Sequence, residues 1–379
     1  MKIAFDLHNI RDGGGVNYIR NLLECASPEQ DGFTEIHLIG APRLLETYPD
    51  RPWIIKHGFA ELDGNILQRI RFVRTAVDKL LRRIGADVLY APGGLLVTRF
   101  RPVVTISRNM MPFRTEFWSM YPAFSPDRLR LRILRRLNAW SFRQADGMIF
   151  LSQTARQVIG DFIGRPLRRV EVIPHGVDHD RFRPLRPRRA LRANGEPVRI
   201  VYPSRLEPYK HQIEVVQAVE ILLDRIPDLR VQLCGPANPA YHEKFTQALE
   251  SSPKARGAIE YLGEIPNARL PELYADSDLL LFASSCENLP NILIEAMASG
   301  IPICSSDRSP MPEVCQDTCL YFDPSSPDSI AQALLAALGD WDATQLRAQR
   351  ALELAAARSW SDTTRKTFAF ITGTAGANT

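Results

Sequence analysis

The chain of 379 residues contains no uninterrupted apolar run of about 18 residues, so no segment reads as a membrane-spanning helix. Its start, MKIAFDLHNI, has neither the apolar h-region nor the cleavage site of a signal peptide. It reads instead as one short strand carrying Asp6 and His8. Cysteine is scarce. The six thiols, at positions 25, 234, 286, 304, 315 and 319, show no metal-ligand rhythm. Cys315 and Cys319 stand four apart, but no His or Cys pair follows them, so reduced thiols in a cytosolic protein are expected. There is no repeat with a period of roughly 20–50 residues. No G-x-G-x-x-G follows the first strand, which weakens a dinucleotide-binding reading.

What is present suits two α/β domains of roughly 150–200 residues each, because one core rarely grows to the full length. Charge divides unevenly along the chain. Residues 1–190 carry 31 Lys and Arg against 19 Asp and Glu, a net of +12, while the remainder carry 16 against 24, a net of −8. Such a split suggests that the first half faces an anionic surface or substrate.

Strand-like runs recur in the first half at Lys2–Leu7, Glu35–Ile39, Asp87–Tyr90, Pro102–Ile106, Gly147–Leu151 and Val170–Ile173. Helical patterns at Val16–Leu23, Gln68–Arg83 and Ser152–Ile159 lie between them. After a Pro/Arg-rich linker from Arg183 to Pro197 the alternation restarts, with strands at Val198–Tyr202, Arg230–Cys234, Ile259–Leu262, Leu279–Phe282 and Ile303–Ser305. Helices are expected over Gln212–Arg225, Leu270–Tyr274, Asn291–Ser299 and Pro327–Leu338. Strands alternating with helices imply parallel βαβ units, hence two doubly wound Rossmann-like sheets. Ligands of such sheets bind beyond the carboxyl ends of the strands, so the residues that follow each strand matter most.

Three such places carry chemistry. Gly13-Gly14-Gly15 opens a helix after the first strand, where bare backbone and a helix N-terminus suit an anion. Arg205 and Lys210, five apart after the strand at Val198, can converge on one diphosphate. The third is Cys286-Glu287-Asn288-Leu289-Pro290-Asn291, running on to Glu295 and Gly300. There Leu289, Ile292, Leu293, Ala296 and Met297 form an apolar stripe, Asn291 and Glu295 share another face, and Gly300 marks a helix stop. Glu287 precedes the helix, so two carboxylates could bind hydroxyls of two parts of one extended ligand.

The pair Glu287 and Glu295, followed by Ala-Met-Ala-Ser-Gly-Ile-Pro, resembles the signature of retaining glycosyltransferases of the GT-B fold. The similarity runs along most of the chain. It includes Ile173-Pro174-His175-Gly176-Val177-Asp178, Ser204-Arg205 to Lys210, and Tyr261-Leu262-Gly263-Glu264-Ile265-Pro266. Leu273 to Asp278, Pro312-Glu313-Val314, Tyr321-Phe322-Asp323-Pro324 and Ser359-Trp360 follow in the family's order. The resemblance implies two Rossmann-like domains facing across a cleft: an acceptor-side domain over 1–184, a nucleotide-sugar domain over 185–355, and a C-terminal helix from 356 to 379 returning to the first. It implies that Gly14, Gly15, Arg205 and Lys210 meet the donor diphosphate, with Leu289 and Asn291 also on the donor. Glu287 would hold hydroxyls of the transferred sugar, Glu295 the ribose, and backbone near Ile265 the base. Where many relatives carry His-Asp, this chain has Ser107-Arg108-Asn109, and Arg108 or Asn109 would take that place.

Two Asp-x-Asp segments, Asp178-His179-Asp180 and Asp276-Ser277-Asp278, have the form of a metal motif but lie away from the diphosphate loops. No metal and no other cofactor is expected, since Arg205 and Lys210 can neutralise a leaving diphosphate. In Arg128–Trp140 the apolar Leu129, Ile133, Leu137 and Trp140 share one face and Arg128, Arg132, Arg135 and Arg136 another. Arg69, Arg71, Arg74, Lys79, Arg82 and Arg83 suggest a second basic helix. Docking on the anionic cytoplasmic face of an inner membrane follows, where a lipid-linked acceptor would sit. The expected activity is transfer of a hexose, mannose favoured, from a GDP- or UDP-sugar to a lipid-linked or polysaccharide acceptor in bacterial surface-polysaccharide or lipopolysaccharide synthesis. A nucleotide-sugar epimerase of the same fold, or an inactive nucleotide-sugar-binding regulator, are the alternatives. Nothing points to nucleic acid.

Overall fold

The central strands of each domain are short and buried on both faces, which is why they read as continuous apolar runs rather than alternating ones. In the computed structural model, which describes residues 1–11, 13–186, 191 and 196–376, thirteen strands form two wholly parallel sheets. Most of the linker from Arg183 to Pro197, and Asp12, fall outside the described residues.

The first sheet comprises β1 (Lys2–Asp6), β2 (Glu35–Gly40), β3 (Ile54–Gly58), β4 (Val88–Ala91), β5 (Val103–Ile106), β6 (Gly147–Phe150) and β7 (Val170–Val172). Their order is β3-β2-β1-β4-β5-β6-β7, with Ile3 paired to Ile36 on one side and to Val88 on the other. The direction of winding therefore reverses between β1 and β4. Helix Gly13–Cys25 buries Tyr18, Ile19, Leu22 and Leu23. The terminal helix Trp360–Gly376 packs on this unit as expected: its Phe368 ring stands 5.0 Å from Phe33, and Thr363 donates to the Pro174 carbonyl.

The second sheet comprises β8 (Arg199–Pro203), β9 (Arg230–Cys234), β10 (Ile259–Tyr261), β11 (Leu279–Phe282), β12 (Ile303–Ser306) and β13 (Leu320–Phe322), in the order β10-β9-β8-β11-β12-β13. Here the winding reverses between β8 and β11. By contacts the chain divides into a first unit of Met1–Phe113, Phe124–Gly176 and the segment from Ser359 onward, and a second of Arg114–Ala123 and Val177–Arg358. The division thus falls at 176/177 and 358/359 rather than at 184/185 and 355/356, and a ten-residue segment of the first half joins the second unit.

Three local readings differ. Strands β3 and β13 lie at sheet edges, where one side is solvated, so Ile54-Ile55-Lys56-His57-Gly58 carries no clean apolar signal. The helix expected over Gln68–Arg83 is present as a continuous run of Ile66–Phe72, one wide π-helical turn at Val73–Val77 and Asp78–Ile84, with Asn65 and Gln68 forming a capping box at its start. Asp78 is buried there and accepts from the Thr98 hydroxyl and, at 3.1 Å, from the Arg99 N–H. Arg69, placed among surface cations by its sequence, is buried and donates to the His8 carbonyl at 2.8 Å.

Candidate functional site

In the second unit a cavity of about 330 Å³ opens beyond the carboxyl ends of β8 and β9. Ser204, Arg205 and Lys210 line one side, Gly235, Glu264 and Ile265 another, and Ile292 from helix Asn291–Ala298 a third. Gly235 is required by close approach. Its φ is +140°, and a Cβ there would lie 2.4 Å from the Ser204 carbonyl oxygen. The two segments singled out by sequence, 204–210 and 286–300, are stitched together here. Ser285 N–H donates to the Tyr209 carbonyl at 2.8 Å, and His211 Nε2 meets the Ser285 hydroxyl.

Lys210 ends a short turn, Pro208–Lys210, and its carbonyl accepts from the Tyr202 hydroxyl at 2.7 Å. The side chain is buried, passes near the Tyr209 and Phe282 rings, and ion-pairs with Glu287. The expected roles of these two residues are therefore physically joined: the carboxylate that would face sugar hydroxyls is held by the ammonium that would face the diphosphate. Arg205 remains largely exposed, and its backbone carbonyl accepts from Gln212 Nε2 at 2.7 Å.

Helix Asn291–Ala298 ends where expected, with Gly300 at φ +65° and its N–H on the Met297 carbonyl. The apolar stripe is corrected in one place. Ile294 is buried with Leu289, Leu293, Ala296 and Met297, whereas Ile292 is half-buried and turns to the cavity. Asn291 is half-buried at the first position of the helix. Glu295, one turn on, has a carboxylate oxygen (Oε2) with no hydrogen-bond partner, and burial lifts its pKa to about 7 against the pull of Arg181. A buried acceptor left unmet is a place for a hydroxyl donor.

The two Asp-x-Asp segments have structural partners. Asp178 accepts from the N–H groups of Asp180 and Arg181, Asp276 pairs with Arg186, and buried Asp278 accepts from the Arg199 N–H at 2.8 Å.

In the first unit a polar cavity of about 600 Å³ lies beyond β1, β4 and β5. Arg108 and Asn109, the residues expected in place of His-Asp, both line it. Asn109 Oδ1 accepts from the Met111 N–H at 3.1 Å. The Arg108 guanidinium lies on Gly15, where a Cβ would stand 2.6 Å from Nη1, so Gly15 and Arg108 occupy one place. Gly14 has nothing within 4 Å of its Cβ position. Burial lowers the Arg108 pKa, while Tyr90, Tyr18 and Tyr48 nearby act to raise it. Its Nη1 is buried with no hydrogen-bond partner. Arg11, Arg69 and Arg130 also line this cavity and were missed as site residues, as was Pro92-Gly93-Gly94 after β4. A Gly-Gly directly after a strand was a legible signal for the last; the arginines had none, being scattered over 120 positions.

The sequence of residues 12–181 matches the family model described as Glycosyltransferase Family 4, and residues 186–353 match Glycosyl transferases group 1. The chain belongs to the GT-B glycosyltransferases. The chain is 31% identical over 232 residues to a D-inositol 3-phosphate glycosyltransferase of Nocardia farcinica, covering 58% of this chain and 51% of that protein. It is 29% identical over 167 residues to O-antigen chain mannosyltransferase B of Escherichia coli, covering 44% of each. The match thus spans about half the length of these curated relatives. The fold of a sucrose-phosphate synthase from Thermosynechococcus elongatus superposes with a TM-score of 0.79, covering 99% of both chains at 16% identity.

Proposed function

We propose that this glycosyltransferase moves a hexose, mannose favoured, from a GDP- or UDP-sugar to a lipid-linked or polysaccharide acceptor, with retention of configuration, in surface-polysaccharide synthesis. The observation that carries the reading is the Lys210–Glu287 ion pair at the cavity that Arg205, Ile265 and Ile292 line. Arg205 and Lys210 receive the diphosphate, with Gly14 and Gly15 contributing backbone. Glu287 holds hydroxyls of the sugar, Glu295 meets the ribose through its unmet oxygen, and Ile265, Leu289 and Asn291 complete the donor site. Mannose is favoured by the relative named as an O-antigen mannosyltransferase. Charge on the leaving diphosphate is stabilised by preorganised cations, so no divalent metal is needed. Loss of turnover in excess EDTA, restored by Mn²⁺ or Mg²⁺, would overturn that part.

The acceptor-side proposal includes a membrane. No helix among the described residues is long and apolar enough to cross one. Helix Pro126–Gln144, however, leaves Leu129, Ile133, Leu137 and Trp140 between 39% and 57% exposed, preceded by a fully exposed Phe124. The sequence suggested an apolar face apart from Arg128, Arg132, Arg135 and Arg136. In the fold Arg128 and Arg135 are half-buried, Arg135 over the Phe162 ring, and the exposed cations beside the stripe are Arg132, Arg136 and Arg143. An apolar stripe flanked by arginines suits the anionic cytoplasmic face of the inner membrane. Sedimentation with anionic liposomes at low salt, lost in the variant Arg132→Glu/Arg136→Glu/Arg143→Glu, is the expected result. Unchanged sedimentation of that variant would remove the helix from the proposal.

Thermal shift with GDP-mannose, UDP-glucose and UDP-N-acetylglucosamine tests the donor, because selective binding raises apparent stability. Acceptor-dependent release of nucleoside diphosphate separates a transferase from an epimerase. Binding without any turnover would leave the inactive-regulator reading instead.

A further inference from the structure

The cavity of the first unit differs from a neutral sugar site in its charge. Arg11, Arg69, Arg108 and Arg130 come to it from four separate stretches of chain, and no acidic side chain lines it among the described residues. Arg69 is buried and Arg108 half-buried. Arg69 is 8% exposed, with Nη1 fixed on the His8 carbonyl and Nε unmet; Arg108 has its buried Nη1 unmet. Converging cations with unmet donors are costly to bury unless an anion completes them. The place is one where a ligand is expected, at the reversal of winding between β1 and β4. A volume of about 600 Å³ is roomy enough for a sugar together with its charged group.

We infer that this cavity binds the phosphoryl group of the acceptor, so that the acceptor is a phosphate-bearing sugar rather than a neutral glycan. The number of forks decides the chemistry. One guanidinium satisfies both oxygens of a carboxylate, whereas a phosphoryl group offers three acceptor oxygens and nearly two charges, and so occupies several forks. Arg108 reaches the cavity from the loop after β5, Arg69 from helix Ile66–Phe72 and Arg130 from helix Pro126–Gln144. That helix lines the cavity with Arg130, Leu134 and Asn138 and carries the exposed apolar stripe elsewhere on its surface. A soluble sugar phosphate and a lipid-linked sugar phosphate present the same group here. The inference deepens the proposed transferase function and rests on the donor diphosphate being neutralised by Arg205 and Lys210 of the second unit.

The test uses calorimetric titration of the full chain with inorganic pyrophosphate. Wild type and Arg205→Gln bind it; Arg11→Gln/Arg130→Gln, which alters two exposed residues, binds it more weakly by roughly tenfold or more, the scale of one lost hydrogen bond to a charged group. Equal binding by wild type and Arg11→Gln/Arg130→Gln, or loss of all binding in Arg205→Gln, overturns the inference. Displacement of pyrophosphate by glucose 1-phosphate assigns a soluble acceptor, and displacement by a polyprenyl phosphate in detergent micelles assigns a lipid-linked one. Displacement by neither, or an equal effect from glucuronate, overturns it. Nucleotide-sugar binding by Arg11→Gln/Arg130→Gln stays within about twofold of wild type, and its loss would also overturn the assignment to the acceptor. A wild type that binds pyrophosphate but no nucleotide sugar would instead sink the transferase reading and leave the phosphate site standing.

Discussion

The two cavities both lie beyond the carboxyl ends of a parallel sheet, one past β8 and β9 and the other past β1, β4 and β5, and their charges are prepared in opposite ways. In the second unit the buried cation, Lys210, already has its counter-ion in Glu287. In the first unit the half-buried Arg108 has no ion pair among the described residues and lies on Gly15 with its buried Nη1 unmet. A paired charge holds its partner in one orientation, which suits a carboxylate that must meet particular hydroxyls. An unpaired buried charge stores an unfavourable desolvation that an incoming anion relieves. One unit is built to position, the other to attract.

The largest effect that could break this contrast is at Glu287. Glu287→Gln should lower kcat on the order of 10²-fold or more, the scale for removing one stabilising group at the reacting centre. It should also lower Tm, because Lys210 is left buried without its counter-ion, a loss of up to about 3 kcal/mol. Steady-state kinetics at a temperature where circular dichroism shows the variant folded separates the two. A variant with unchanged Tm would mean that the ion pair contributes nothing to the fold.

The opposite sign is expected at Arg108. Arg108→Met keeps the bulk of the stem and removes the unmet cation, so Tm should stay level or rise. Turnover should nevertheless fall by about tenfold or more, as expected for a lost charged hydrogen bond. A marked drop in Tm would show that Arg108 is a structural residue, and the comparison between the units would collapse.

Glu295 refines the second unit. Its raised folded pKa means that the folded state holds the proton more tightly than the unfolded state does, so its carboxyl lowers stability as pH rises from about 4.5 to about 7. Glu295→Gln should therefore be more stable than wild type at pH 8, with the difference fading toward pH 5. For the donor it should mainly raise KM, about tenfold, since the ribose does not react. Thermal melts across that pH range, with donor kinetics, check both halves. A kcat collapse with unchanged KM would reverse the roles of the two glutamates.

The smallest effect sharpens the first unit. Gly15→Ala places a methyl where the Arg108 guanidinium lies, and Gly14→Ala meets nothing within 4 Å. Kcat/KM should fall several-fold for the former only, while both replacements favour the helix by up to about 1 kcal/mol. Equal kinetics from the two alanine variants would detach Arg108 from the glycine loop.

Much of this was legible in order along the chain. Arg230–Cys234 and Leu279–Phe282 read as strands because central parallel strands are apolar on both faces. Glu287 and Glu295 stood out through their spacing around a helix start. Strand β3 was silent because Lys56 and His57 interrupt its apolar run, and β13 because it is only three residues long. The wide turn at Val73–Val77 was hidden as well, because Asp78 finds its partners in Thr98 and Arg99, some twenty residues away.

The sequence by itself determined the alternation of strand and helix, the strand-end loops and the presence of two glutamates on a donor segment, since these depend on neighbours within a turn or two. Only the tertiary structure decided which charges are paired. Lys210 meets Glu287 across 77 residues, and Arg69, Arg108 and Arg130 are gathered from helix Ile66–Phe72, the loop after β5 and helix Pro126–Gln144. Nothing in a local pattern distinguishes an arginine bound for solvent from one bound for a cavity. The desolvation that makes the difference exists only once the sheet has closed around it.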